Sequence, residues 1–253
     1  MRWAELTAAE VDRGLTVNTN GPVPAADLAY AVLEVSRVLR GRPVDSIAHL
    51  RVTRHRREMA TTVFQVNARI DGRRCRVQAA GDSVDGARLI AQRLDGQIAR
   101  IAEGVPDPWL SAPRRTLAMI TGLRPITRRK PCRLLVLTPR VAGAIMDSMD
   151  FDAFFFRDAD TGEDAIVYRA GSRDVRLVRQ HRVDLPKGPC DSRLAVDLTP
   201  IVVAPDLVAA KRLCGNGLPF LFFIEPRSAR GRLLYRRYDG DLAVLEPVPD
   251  ARS

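Results

Sequence analysis

The sequence contains few of the residues on which enzymes and metal sites depend. Its 253 residues include three histidines and four cysteines, with no C-x-x-C pair, no H-E-x-x-H motif and no compact Cys/His cluster. It also lacks glycine-rich phosphate loops and nucleophile elbows. We therefore expect no catalytic residue, no cofactor and no metal. We expect Cys75, Cys132, Cys190 and Cys214 to be reduced thiols.

Long apolar runs are absent as well. No segment reaches the roughly 20 apolar residues that span a bilayer, and the first residues, Met1 to Glu5, lack an apolar signal core. We therefore expect a soluble cytoplasmic protein that does not bind membranes. The length allows one large domain or two to three small ones.

Acidic residues are outnumbered, since the chain contains 40 Lys and Arg but only 30 Asp and Glu, which gives a net charge of +10. The excess is densest between Arg37 and Arg76, where eleven arginines accompany three acidic residues. Such a cluster favours an anionic partner, because neutralising phosphates releases counterions. Aromatic residues, 6% of the chain, rarely alternate with these arginines, so the pattern favours recognition of RNA shape and backbone over base stacking.

Residues 1–105 are predicted to form one domain with the order β-α-β-β-β-α. Apolar and turn patterns place strands at 15–17, 47–56, 61–70 and 74–79, and helices at 27–40 and 83–103. Alternation in the strands directs Leu50, Val52 and Phe64 to a core and the intervening polar residues to the other face.

Arginines of this domain are the candidate RNA-binding residues. The polar sheet face carries Arg51, Arg69, Arg74 and Arg76, and an adjoining turn carries Arg54, Arg56 and Arg57. The two helices add Arg37, Arg40, Arg88 and Arg93. The alternative interpretation is that these are ordinary solvated surface arginines.

Residues 106–131 are predicted to be a basic, proline-rich linker, and two copies of one module follow it, at 132–185 and 186–253. The copies match without gaps at an offset of 67 residues, so that Val167-Tyr168-Arg169 corresponds to Leu234-Tyr235-Arg236. Each copy reads as a strand, a helix and three short strands, which makes the whole chain α+β.

Consecutive apolar residues in each copy predict that the two modules pair. They are Phe154, Phe155 and Phe156 in the first copy and Leu221, Phe222 and Phe223 in the second. Such a run cannot face one side of a strand, and a module of about 55 residues buries little surface alone. We expect the copies to pair within one chain, with a homodimer as the alternative.

Three segments of the first module have a pattern seen in a known protein family. The string Met146-Asp147-Ser148-Met149, followed by Phe154-Phe155-Phe156-Arg157-Asp158 and Val167-Tyr168-Arg169, resembles the C-terminal domain of long ribosome hibernation promoting factors of the S30EA family. The N-terminal element order and basic strands also resemble that family's ribosome-binding domain. The presence of the C-terminal domain twice is similar to dormancy-associated actinobacterial members of the family. The second copy departs from the first at its turn, where Arg227-Ser228-Ala229-Arg230 replaces Asp160-Thr161-Gly162-Glu163.

The resemblance implies a non-enzymatic translation silencer. Its N-terminal domain would enter the decoding channel of the small subunit, contact rRNA and block mRNA and tRNA in dormancy or stress. The C-terminal domain of this family normally dimerises and can join two ribosomes, whereas internal pairing would silence single ribosomes. The main alternative is an RNA- or DNA-binding regulator that acts off the ribosome, and an enzyme with an unrecognised site ranks last.

Overall fold

The computed structural model describes residues 14–40, 42, 44–45, 47–54, 62–102, 122–170, 174–186, 194–237 and 240–248. Within these residues the chain forms four helices and fourteen strands in three sheets. It divides into two compact units. One unit comprises 1–115 with 147–150, and the other comprises 116–146 with 151–253.

The first unit contains the predicted β-α-β-β-β-α order, which confirms that part of the α+β assignment. Its elements are β1 (Leu15–Asn20), α1 (Ala25–Leu39), β2 (Ala48–Arg54), β3 (Thr62–Ile70), β4 (Arg73–Gly81) and α2 (Ser83–Ala102). The sheet order is β1-β2-β3-β4, with β1 parallel to β2 and the other pairs antiparallel.

Both helices cover the same face of this sheet. The side chains of Leu50, Val52 and Phe64 are fully buried and belong to one core cluster with Val35 of α1 and Leu94 of α2. The two-residue period of the strands therefore leaves the opposite face without a helix.

The turn after β1 approaches the end of β2 closely. Gly21 has φ +82°, and a Cβ at this position would lie 2.0 Å from the carbonyl oxygen of Arg54. Any other residue would combine a left-handed backbone conformation with a backbone clash.

The second unit holds the two modules, apart from residues 147–150. The first comprises β5 (Ile126–Cys132), β6 (Val136–Leu137), α3 (Pro139–Ser148), β7 (Ala153–Asp158), β8 (Asp164–Ala170) and β9 (Asp174–Arg179). The second comprises β10 (Leu194–Val196), β11 (Val202–Val203), α4 (Asp206–Gly215), β12 (Phe220–Glu225), β13 (Arg230–Arg236) and β14 (Leu242–Pro247).

Each module contributes its first strand to the sheet of the other. The sheet orders are β10-β9-β8-β7-β6 and β11-β12-β13-β14-β5. Strand β5 pairs in parallel with β14, and β10 pairs in parallel with β9. The modules are thus joined by a reciprocal exchange of strands at the sheet edges.

Strand β5 differs from the sequence-based expectation, which places residues 126–131 in the linker. Its proline and its charges are typical of a connecting segment. An edge strand, however, tolerates a proline where its N–H would face solvent. Arg129 of β5 donates a hydrogen bond of 2.6 Å to Asp206 of α4 and also contacts Glu246 of β14, which ties the charged strand to this sheet.

A hydrogen bond fastens the end of β10 to β8. The Tyr168 hydroxyl donates to Oδ2 of Asp197 at 2.6 Å, and the Thr199 amide donates to Oδ1 at 2.9 Å. Burial alone would raise the pKa of Asp197, but the hydrogen bonds from Tyr168 and Thr199 outweigh it and lower the pKa. Burial and the bond to Asp197 raise the pKa of Tyr168 to about 12.

Replacing Gly21 with alanine should destabilise the first unit by about 2 kcal/mol, because the new Cβ meets a carbonyl oxygen in a strained conformation. The matched control is Gly96→Ala in α2, where an added Cβ meets nothing within 4 Å. That control should be neutral or stabilising, since alanine favours helix. Urea unfolding with hydrogen exchange of β1 and β2 amides measures both effects. Equal stabilities of the two variants would contradict this account.

Replacing Tyr168 with phenylalanine should raise the pKa of Asp197 and cost about 1 kcal/mol at pH 7. A carboxylate with a lowered pKa contributes stability above its unfolded value of about 3.9, and this stability is lost as the pH falls through the folded value. The difference between wild type and variant should therefore shrink in acid. Carboxyl NMR titration and urea unfolding at pH 7 and pH 3 test this. Tyr235→Phe, at the equivalent position beside Lys130, serves as the control.

Candidate functional site

The helix-free face of the first sheet is lined with polar side chains in register across the four strands. One row contains Asn18, Arg51, Gln65 and Gln78, and the next contains Thr16, His49, Asn67 and Arg76. Beyond the second row, Arg69 and Arg74 lie directly opposite each other on β3 and β4. We call the surface formed by Arg51, Arg69, Arg74 and Arg76, with the polar residues between them, the open face.

The open face is positively charged. Arg51, Arg69 and Arg74 are exposed and Arg76 is half-buried, and the described strand positions on this face carry no Asp or Glu. Like charges placed directly opposite each other in a sheet are destabilising. An anion bound near Arg69 and Arg74 would offset this repulsion, so the geometry suits a polyanion.

Four other candidate arginines lie on the helices, in the layer that covers the opposite face. Arg37 pairs with Glu34 at 2.8 Å and keeps 72% of its side chain exposed. Arg40 is exposed at the end of α1. Arg88 donates to the Tyr30 hydroxyl at 3.2 Å, and Arg93 donates to the carbonyl of Gln78 at 2.9 Å. Arg37, Arg40 and Arg88 therefore lie on the surface of the helical layer. Arg93 does not, because its side chain is only 11% exposed and its Nη1 lies 3.3 Å from Oδ2 of Asp150.

Arg54 does not belong to the open face. Position 54 has the same parity as Val52, so its side chain turns toward the helices, where Nη1 lies 3.3 Å from Oδ2 of Asp27. The hydroxyl of Thr62 also donates to this carboxylate, at 3.4 Å. The other two arginines expected at this turn, Arg56 and Arg57, lie outside the described residues.

The six residues predicted to pair the modules occupy two different places. The rings of Phe155 and Phe222 meet edge to face, with centroids 5.8 Å apart. Phe156 and Phe223 are fully buried on the other side of their strands, where Phe223 packs with residues of α4. Phe154 and Leu221 share those strand faces and are half-buried. Alternation within each strand thus brings one residue of each run to the partner module.

A single apolar cluster between the sheets contains Phe155 and Phe222, and we call it the inter-sheet cluster. Ten of its twelve members come as equivalent positions of the two copies, each 67 residues apart: Phe155 with Phe222, Ile166 with Leu233, Val178 with Leu245, Ala153 with Phe220, and Leu134 with Ile201. Tyr168 adds an edge contact to Phe220, with centroids 5.4 Å apart. The aromatic runs alone did not reveal Ile166 or Leu233. Applying the offset together with strand alternation would have identified them.

Chemically reactive groups are scarce in the described part of the chain. There, no group of three or more His, Cys, Asp and Glu residues could hold a metal ion. Burial raises the pKa of the Cys75 thiol to about 12, so this cysteine is a poor nucleophile near neutral pH. Cys132 and Cys214 are also free thiols, while Cys190 lies outside the described residues. No helix among the described residues is long and apolar enough to cross a membrane.

Comparison with known proteins gives a family-model match and two similar solved structures. The family model for the Sigma 54 modulation/S30EA ribosomal protein C terminus matches residues 123–177, a segment that includes β5. Two solved structures, a ribosomal subunit interface protein from Coxiella burnetii and the N-terminal domain of Thermus thermophilus Protein Y, match with TM-scores of 0.31 and 0.29 at 15% and 14% identity. They cover 36% and 35% of this chain and 98% of their own.

A similarity that spans most of the chain gives stronger evidence of the family than these partial matches. Over 245 residues the chain is 40% identical to proteins named dormancy associated translation inhibitor from two strains of Mycobacterium tuberculosis. The alignment spans 93% of this chain and 89% of those proteins. The resemblance seen in the sequence is thereby confirmed, and the chain belongs to the Sigma 54 modulation/S30EA ribosomal protein family.

Proposed function

We propose that this protein inhibits translation in dormancy or stress by binding the small ribosomal subunit in its decoding channel, where it blocks mRNA and tRNA. The open face is the observation that carries the proposal, because it offers the exposed guanidinium groups of Arg51, Arg69 and Arg74 on a face whose described strand positions carry no Asp or Glu. The 40% identity to proteins named as translation inhibitors supports the same function.

Arginine suits this role because its planar guanidinium binds phosphate oxygens in a bidentate manner. On the open face the arginines lie on a rigid four-stranded sheet, which positions them against a fixed RNA backbone. The polar rows between them offer amide and hydroxyl groups for sugar and phosphate contacts. Such contacts recognise the shape of folded rRNA rather than a base sequence.

Inhibition then requires only that the protein occupy the site where mRNA and tRNA bind. A domain bound there prevents initiation without making or breaking a covalent bond, so this mechanism needs no reactive side chain. Competition with mRNA and tRNA follows directly from this mechanism.

The pairing of the modules suggests that single ribosomes are silenced. Each sheet receives its edge strand and its apolar cover from the other module of the same chain. The surface through which a single-module protein would recruit a second chain is therefore already used.

Sedimentation of the protein with ribosomes through sucrose gradients at two salt concentrations tests the proposed function. We expect comigration with small subunits and monosomes, its loss when mRNA and tRNA are added, and no peak of ribosome dimers. Absence of comigration at low salt would overturn the proposal in favour of a regulator that binds free RNA or DNA.

Two matched triple substitutions should locate the binding surface. Replacing Arg51, Arg69 and Arg74 with alanine should weaken ribosome binding strongly and reduce the slope of log K against log salt by about 2, since each lost phosphate contact contributes about 0.7 to 0.9. Replacing Arg37, Arg40 and Arg88 removes the same charge from the helices. A larger loss from this second variant would show that the helices, not the open face, bind the ribosome.

A further inference from the structure

The two modules meet at one pair of equivalent positions that carry opposite chemistry. Asp164 is the first residue of β8, and the equivalent position in the second module is Gly231 of β13. The residues before them are Glu163 and Arg230. The first module thus presents two acidic residues where the second presents a cation and a bare backbone.

These residues form a complete polar contact. Arg230 holds the Asp164 carboxylate in a bidentate manner, with Nε 2.7 Å from Oδ2 and Nη2 3.0 Å from Oδ1. The Gly231 amide donates to Oδ2 at 3.0 Å. The Asp164 side chain is 1% exposed, and Arg157 of its own module comes only within 3.9 Å. The hydrogen bonds that satisfy this buried charge therefore come from the second module.

The space around position 231 also requires a glycine. A Cβ at position 231 would lie 2.7 Å from Cζ of Phe222 and 2.9 Å from Cβ of Asp164. Phe222 packs against Phe155 in the inter-sheet cluster, so its ring is held from the other side. Only glycine fits between the carboxylate and this ring without displacing one of them.

Pairing of like modules would lose this complementarity. Two first modules would bring Glu163 and Asp164 of each against Asp164 of the other, and two second modules would leave Arg230 without the carboxylate it binds. Uncompensated charge at a buried contact is strongly unfavourable, and proteins use such repulsion to reject wrong partners.

We propose that the contact of Asp164 with Arg230 and Gly231 selects the partner of each module, so that a first module accepts a second module and rejects another first module. This inference deepens the proposed internal pairing and rests on it. The kind of partner excluded is a second copy of this chain that docks through the same module.

Like pairing can be reproduced inside one chain. The double variant R230E/G231D gives the second module the residues of the first at both positions. Exchange of the β8 and β13 amides in the full-length variant should be at least about 100-fold faster than in wild type, since breaking a buried ion pair costs several kcal/mol. The matched control, R227D/A229G, gives the same turn two other first-module residues and leaves the contact intact. It should exchange at the wild-type rate.

A rescue separates partner selection from simple loss of folding. Adding E163R and D164G to the double variant places the cation and the glycine on the first module and restores the charge complementarity with the roles reversed. The close approach of the new Cβ at position 231 to Phe222 remains, so the rescue reports the charge contact alone. The single variant E163R measures the cost of losing the bonds that Glu163 accepts from the His181 and Arg182 amides. We expect the quadruple variant to exchange at least about tenfold more slowly than the double variant.

Two results would overturn the inference: equal exchange in the double variant and its control, or equal exchange in the quadruple and double variants. These measurements use free protein without ribosomes. A negative result in the ribosome-binding experiment would therefore not change the conclusion about the partner-selecting contact. A negative result in the exchange experiment would likewise not change the conclusion about ribosome binding.

Discussion

The contact between Phe155 and Phe222 is the interaction on which the second unit depends. Each of its sheets has an apolar face away from its own helix, and that face must be covered. The inter-sheet cluster covers both faces at once, using equivalent positions of the two copies. The strand exchange, the bond between Tyr168 and Asp197, and the ion pair of Asp164 with Arg230 all surround this apolar centre. Removing it would leave each of them without a fixed geometry.

Much of this fold could be predicted from the sequence, because the first unit follows simple periodicities. Alternating residues in β2, β3 and β4 correctly divided a core face from a polar face, and α2 begins at the predicted Ser83 and is helical through the described residues to Ala102. The exchange of β5 and β10 could not be predicted. β10 has only three residues, β5 contains Pro131, and the partner strand of β5, β14, lies far along the chain. Local pattern gives no information about such pairing.

The candidate site was predictable to the same degree. Strand parity placed Arg51, Arg69 and Arg74 on one exposed face, yet it was not applied to Arg54, which turns to Asp27 instead. The polar contact between the modules was hidden for a different reason. Asp164 and Gly231 are unremarkable separately, and their relation is visible only when the repeat offset and the strand faces are considered together.

The strand exchange also sets the order in which the second unit can form during synthesis. Strand β5 is made early but pairs with β14, the last described strand, and Leu242 lies 116 positions after its partner Ile126. At about 5–20 residues per second, this delay is roughly 6 to 23 s. During that time β5 emerges from the ribosome without its neighbour. Its three consecutive cations, Arg128, Arg129 and Lys130, suit a strand that must avoid aggregation while it waits.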